Sequence, residues 1–137
     1  MNRKHISGIA AGVVAVATAF GIGVAVGQQA PTETKGVKVS PPTFLDLAQE
    51  IDGVQGRQLR LRVVTVEPGG VVGVHAHAGR PAVAYVVQGT LTEHREDGSA
   101  KERQEGESWT EGKDTVHWAE NTGNKPAMVV AVDVFKP

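Results

Sequence analysis

The chain has 137 residues, enough for one domain. Its formal net charge of −1, with no basic run, argues against nucleic acid as a partner. It contains no cysteine, which excludes disulfides and a cysteine-linked lipid anchor, so a core or a metal must stabilise the fold.

Residues 1–27 differ from the remainder. Asn2-Arg3-Lys4-His5 is a short basic start, and residues 6–26 carry no charge. Ala25-Val26-Gly27 then puts small residues at the −3 and −1 positions of a cleavage site after Gly27, the pattern of a secretory signal peptide. The uncharged stretch approaches the length of a membrane span. Its wealth of Gly and Ala makes it weakly hydrophobic, which favours cleavage over an uncleaved anchor. The expectation is a periplasmic or secreted protein with no stable membrane anchor once the leader is removed. Without Arg3 and Lys4, 12 of the 14 basic residues remain against 15 acidic ones, a net charge of −3.

Residues 28–42 hold Pro31, Pro41 and Pro42 among polar residues and read as a flexible linker. Residues 43–137 then form the folded domain. Residues 43–51 fit either a short strand or a helical turn. Beyond them the signals are all β. Leu59, Leu61 and Val63 alternate with Gln58, Arg60 and Arg62, the period of a strand with its apolar side buried. Glu67-Pro68-Gly69-Gly70 is expected to break that strand. Strands at 71–77, 82–88 and 90–94 follow, then a hairpin turn at Glu96-Asp97-Gly98-Ser99. Four more are expected at 100–105, 107–111, 115–118 and 127–135. Eight or nine short strands at roughly ten-residue spacing imply a sandwich or barrel.

The chemistry concentrates in three histidines. His75 and His77, two apart on a strand, point to one face about 6.5–7 Å apart along the chain. His117, from another strand, would complete a facial set for one ion. Neutral imidazole suits zinc, copper, iron and nickel.

These residues sit in a larger pattern. Gly69, five residues, His75-Ala76-His77, then Tyr85 and Gly89 resemble the first motif of the cupin superfamily. Gly106-Glu107, with His117 eleven residues after Gly106 and Asn121 four later, resembles the second. The resemblance covers most of the chain after residue 58. It implies a single antiparallel β-barrel of the double-stranded jelly-roll type, with one divalent metal in the barrel mouth on His75, His77 and His117. Fe(II) or Mn(II) is the first expectation, with zinc, nickel and copper open. It also implies a homodimer.

Two departures matter. The glutamate ligand that many cupins carry after the histidine pair is replaced by Ala82, and Gly112 and Asp114 replace a usual proline and glycine. A three-histidine site, like those of some cupin dioxygenases, is the reading that remains. Three protein ligands leave open positions, as a catalytic metal requires. Glu111, six residues before His117, is the candidate catalytic residue. It would act as a general base or fill the place vacated at Ala82. Its plain alternative is a surface glutamate.

Other residues carry plainer readings. His94 is expected as an exposed strand end, while Glu93, of opposite parity, could face the barrel. Trp109 and Trp118 are expected in the core, or one of them on a pocket wall. Asn121 is expected to brace a turn, and Arg80 to be an exposed loop residue or to steer an anionic substrate. The functional expectation is a metal-dependent, dioxygenase-like oxidoreductase acting on a small molecule, with lyase or isomerase chemistry behind it. The alternative from another class is a non-catalytic periplasmic module that binds a small molecule or metal.

Overall fold

Strand β3, Gln58–Ala76, organises the molecule because its two halves pair with different strands of one sheet. Its first half, residues 58–66, pairs with the last strand, β9 (Ala127–Phe135); its second half, residues 71–76, pairs with β8 (Val116–Glu120). The computed structural model describes residues 29–137, so the expected leader, residues 1–27, lies outside the described residues. The other strands are β1 (Lys35–Val39), β2 (Thr43–Asp46), β4 (Ala82–Gln88), β5 (Leu91–Arg95), β6 (Ala100–Arg103) and β7 (Ser108–Glu111). All pairings are antiparallel, in the order β6-β5-β8-β3-β9-β4-β7, with β1 and β2 added to β3. The all-β barrel expected from the sequence is the fold observed.

The expected break at residues 67–70 is a corner inside β3 rather than its end. Gly69 takes φ +72, a left-handed conformation that costs glycine little. A Cβ at Gly70 would lie 2.7 Å from the Glu67 carbonyl oxygen. Asn121 braces the corner: its side-chain amide donates to the carbonyls of Val66 and Lys125 at 2.8 Å, and its Oδ1 accepts from the Gly123 amide. The turn role expected of Asn121 holds, with a barrel corner added to it. Residues 43–51 resolve as both alternatives in succession, strand β2 and then a 3-10 turn over Leu47–Gln49.

Two expectations need correction. The segment read as a linker carries β1, paired with β3, and its earlier residues lie along the barrel: the Gly73 amide donates to Thr34 Oγ1 and the Val74 amide to the Pro31 carbonyl. Prolines set apart from the ladder made this stretch look unstructured. The second correction concerns which side of β3 faces in. Val66, Val64, Arg62 and Arg60 point into the barrel, whereas Leu61, on the face expected to be buried, is 42 % exposed. Period 2 identifies a strand but does not say which face is inside.

The interior is built from short side chains. Val66, Ala84, Val86, Leu91, Ala119, Ala127 and Val129 form one core cluster. Burying a valine such as Val66 or Val86 contributes about 1.5–3 kcal/mol. Valines and alanines cannot reach across the barrel, so a cavity of about 350 Å³ remains, and its wall includes Trp109.

Candidate metal centre

The strand register brings the histidines together. His75 on β3 is paired directly with His117 on β8, and the His77 amide donates to the Thr115 carbonyl just beyond. Residues 75 and 77 lie two apart where β3 ends, and both line the cavity together with His117. The Nε2 atoms of His117 and His75 are 3.0 Å apart, and those of His117 and His77 are 3.1 Å apart. His77 and His117 are buried and His75 partly so.

The Nδ1 contacts decide what those close approaches mean. His75 Nδ1 lies 2.9 Å from the Gly73 carbonyl, and His77 Nδ1 lies 3.1 Å from the Arg80 carbonyl. A carbonyl only accepts, so each Nδ1 carries the proton and donates it. His117 Nδ1 lies 2.9 Å from Glu93 Oε1. Burial by itself raises the Glu93 pKa, but hydrogen bonds from His117 and Arg103 and the charge of Arg95 outweigh it and hold it at about 2. Glu93 is therefore a carboxylate and also accepts. Three Nε2 lone pairs then point at one another, which is repulsive unless a cation stands between them.

A shared proton is the simplest such cation. Burial is the largest influence on both His75 and His77 and lowers their pKa values, so it disfavours the protonated form. Glu111 adds a fourth electron-rich group: its Oε2 is 3.2 Å from His77 Nε2 and its Oε1 is 3.6 Å from His117 Nε2. Oε1 also accepts from Trp109 Nε1 at 2.9 Å. These donors fit a divalent ion, which imidazole nitrogens bind at about 2.0–2.1 Å.

The position of Glu111 has a register explanation. On β7 it is paired with Ala82 of β4, so its side chain enters the barrel beside the short Ala82 methyl. Glu93, whose parity allowed an inward position, is 2 % exposed and held by Arg103 at 2.5 Å and Arg95 at 2.6 Å. It is the group that sequence reasoning undervalued; the signal was its opposite parity to His94 on one strand.

His94 is not an exposed strand end. Its ring stacks on Trp118 with centroids 3.7 Å apart, and its Nε2 is 2.9 Å from Glu120 Oε1. Trp118 is buried, as expected of a core tryptophan, while Trp109 lines the cavity. Arg80 is no free loop residue: it pairs with Asp133 at 3.1 Å and lines the cavity. Its guanidinium shares Asp133 with Arg60 and Arg62, a cluster that the sequence reading missed altogether.

Comparisons with known proteins agree with this architecture. No curated protein matches the chain. Among solved structures, the chain is similar to a double-stranded β-helix domain protein of Klebsiella pneumoniae, at 24 % identity and a TM-score of 0.52. That match covers 55 % of this chain and 65 % of the other, so the chain spans less than two thirds of that relative's length. It is also similar to a predicted oxalate decarboxylase of Thermotoga maritima, at 21 % identity and a TM-score of 0.50, covering 69 % of this chain and 91 % of that one. A third similarity is to the polyketide cyclase RemF of Streptomyces resistomycificus, at 18 % identity and a TM-score of 0.59, covering 77 % and 69 %. Identities this low speak to the fold alone. The family model for the cupin domain matches residues 62–134, which hold all three histidines, Glu93 and Glu111. With that match spanning more than half of its length, the chain belongs to the cupin family.

Proposed function

We propose that the protein is an exported metal-dependent cupin enzyme, an oxidoreductase of the dioxygenase type acting on a small molecule. One observation carries the reading. Three imidazoles with their Nε2 lone pairs bare converge at the end of a cavity of about 350 Å³, a size suited to a small organic ligand. His75, His77 and His117 would hold the ion, Fe(II) or Mn(II) by preference. When bound, such an ion supplies Lewis-acid polarisation or oxygen activation at positions the protein leaves open.

The chain's own residues do the rest. Glu93 fixes the His117 tautomer through Nδ1, and the Gly73 and Arg80 carbonyls do the same for His75 and His77. Valines and alanines make up much of the cavity wall beside that end. Glu111 stands within hydrogen-bond reach of that end, with Trp109 Nε1 orienting Oε1, and takes or returns a substrate proton there. That base favours one second reading, a lyase or isomerase reaction begun by proton abstraction.

The test is elemental analysis of the full-length chain beside its His75→Ala/His77→Ala variant, followed by oxygen-uptake assays with candidate substrates. One equivalent of metal in the parent, none in the variant, and substrate-dependent oxygen consumption support the reading. Equal metal in both proteins overturns the site. Metal without any turnover points to a binding module. Turnover without oxygen uptake selects the lyase or isomerase reading.

A further inference from the structure

The strand order leaves a seam in the barrel. β6 and β7 stand at its two ends and are not hydrogen-bonded to each other, although only residues 104–107 separate them in the chain. Side chains span that seam. On β6, Arg103 is paired with buried Leu91 of β5, and on β7, Trp109 is paired with buried Ala84 of β4, so both point to the barrel side. The Arg103 guanidinium lies over the Trp109 ring, 5.0 Å from its centroid. From the same position its Nε and Nη2 donate to Glu93 Oε2, at 3.0 and 2.5 Å.

Those two partners serve opposite sides of the metal centre. Glu93 Oε1 accepts from His117 Nδ1, and Trp109 Nε1 donates to Glu111 Oε1. Glu111 Oε1 in turn lies 3.6 Å from His117 Nε2. Arg103, Glu93, His117, Glu111 and Trp109 therefore form a closed ring of side chains. The last four line the cavity, and Arg103 stands behind its wall, with 11 % of its side chain exposed.

The division of Glu93 among its partners shows what Arg103 does. Arg103 takes Oε2 alone, whereas Arg95 Nη2, at 2.6 Å, shares Oε1 with His117. A carboxylate released at Oε2 is free to turn both oxygens to Arg95, the fork geometry that a guanidinium favours, and Oε1 then leaves Nδ1. On its other side the flat guanidinium holds the indole by a cation–π contact, which keeps Nε1 aimed at Glu111. A lysine carries the same charge but lacks the planar fork, and cannot do both at once.

We propose that Arg103 is a positioning residue for the metal centre, a clasp across the seam that keeps Glu93 Oε1 on His117 and Trp109 Nε1 on Glu111. This rests on the proposed function only in taking His117 as a metal ligand and Glu111 as the base beside it.

Cobalt(II) tests the clasp, because its visible absorption follows the geometry of its ligands and needs no substrate. The full-length chain and its variants are stripped of metal, reloaded with cobalt and titrated against a competing chelator, with urea unfolding measured alongside. Arg103→Lys is expected to bind cobalt about three- to tenfold more weakly than the parent and to shift its absorption. Trp109→Leu is expected to bind about twofold or more weakly than Trp109→Phe. Both lack the indole N–H, and only phenylalanine offers the guanidinium a ring face.

Arg103→Lys with the parent's affinity and absorption overturns the proposal whatever its stability, since Arg103 is then a purely structural residue. Equal affinity in Trp109→Leu and Trp109→Phe overturns it too, and this pair decides the matter if Arg103→Lys does not fold. Parent protein that takes up no cobalt removes the metal site and the clasp together. Cobalt-binding parent beside an unchanged Arg103→Lys removes the clasp alone.

Discussion

At one end of the β3–β9–β4 sheet the two faces invert the usual distribution of polarity, while the rest of the inner face carries the apolar core. Toward the barrel, toward one end, stand Arg60, Arg62 and Asp133, with Asp133 almost fully buried. Toward solvent stand Leu61, Val132 and Val83 in one cross-strand row and Val63, Val130 and Tyr85 in the next. Leu61, Val83, Tyr85 and Val87 are each more than 40 % exposed. The lesson is that apolar residues mark a strand but not its inside. Charge placed inside a barrel must be satisfied with partners.

This contrast can be broken by substitution, beginning with the most costly site. Asp133→Ala leaves Arg60, Arg62 and Arg80 without their shared partner, and the expected loss is about 3–5 kcal/mol in urea unfolding. A loss under about 1 kcal/mol would show that the inner charges are solvated and that the two faces do not differ as described. Glu93→Gln keeps the shape but removes the carboxylate that accepts from His117 Nδ1. Metal affinity, read by competition with a chelator, is expected to fall about 10–100-fold.

Acid sharpens the comparison further. Burial alone would raise the Asp133 pKa, but the hydrogen bond from Arg60 and the charge of Arg62 lower it below the ordinary 3.8. The unfolded chain therefore takes up this proton first. The stabilisation from Asp133 is present above pH 3.8 and lost as pH falls through the lower folded value. Between pH 5 and 3 the parent should lose unfolding free energy more steeply than Asp133→Asn; parallel curves would contradict the cluster. The smallest effect is expected outside. Tyr85→Ser on the exposed face should change stability by about 0.5 kcal/mol or less, and a loss of 2 kcal/mol would mean that this face is covered.

Much of the centre was legible because a strand's period is short and rigid. His75 and His77 had to share a face, and the resemblance to cupin motifs implied His117 as a third ligand from another strand. Glu111 was legible as a candidate, and its pairing with Ala82 supplies the geometric reason. Asp133 was not read, although a lone acid inside the apolar run of residues 127–135 is itself a signal that a buried cation waits nearby. Residues 28–42 misled because composition reports turn propensity, whereas Thr32 and Thr34 reach the cavity through pairings made forty residues away.

By itself, the order of the residues determined the all-β class, the punctuation of the strands, the shared face of His75 and His77 and the absence of any cysteine to support them. These are local properties, set by side-chain period and turn chemistry over a few residues. Tertiary structure alone decided which face of β3 lies inside, that Glu93 locks the His117 tautomer, and that Arg103 spans from Glu93 to Trp109. Each of those depends on partners brought from distant strands, and no local pattern encodes the pairing that brings them together.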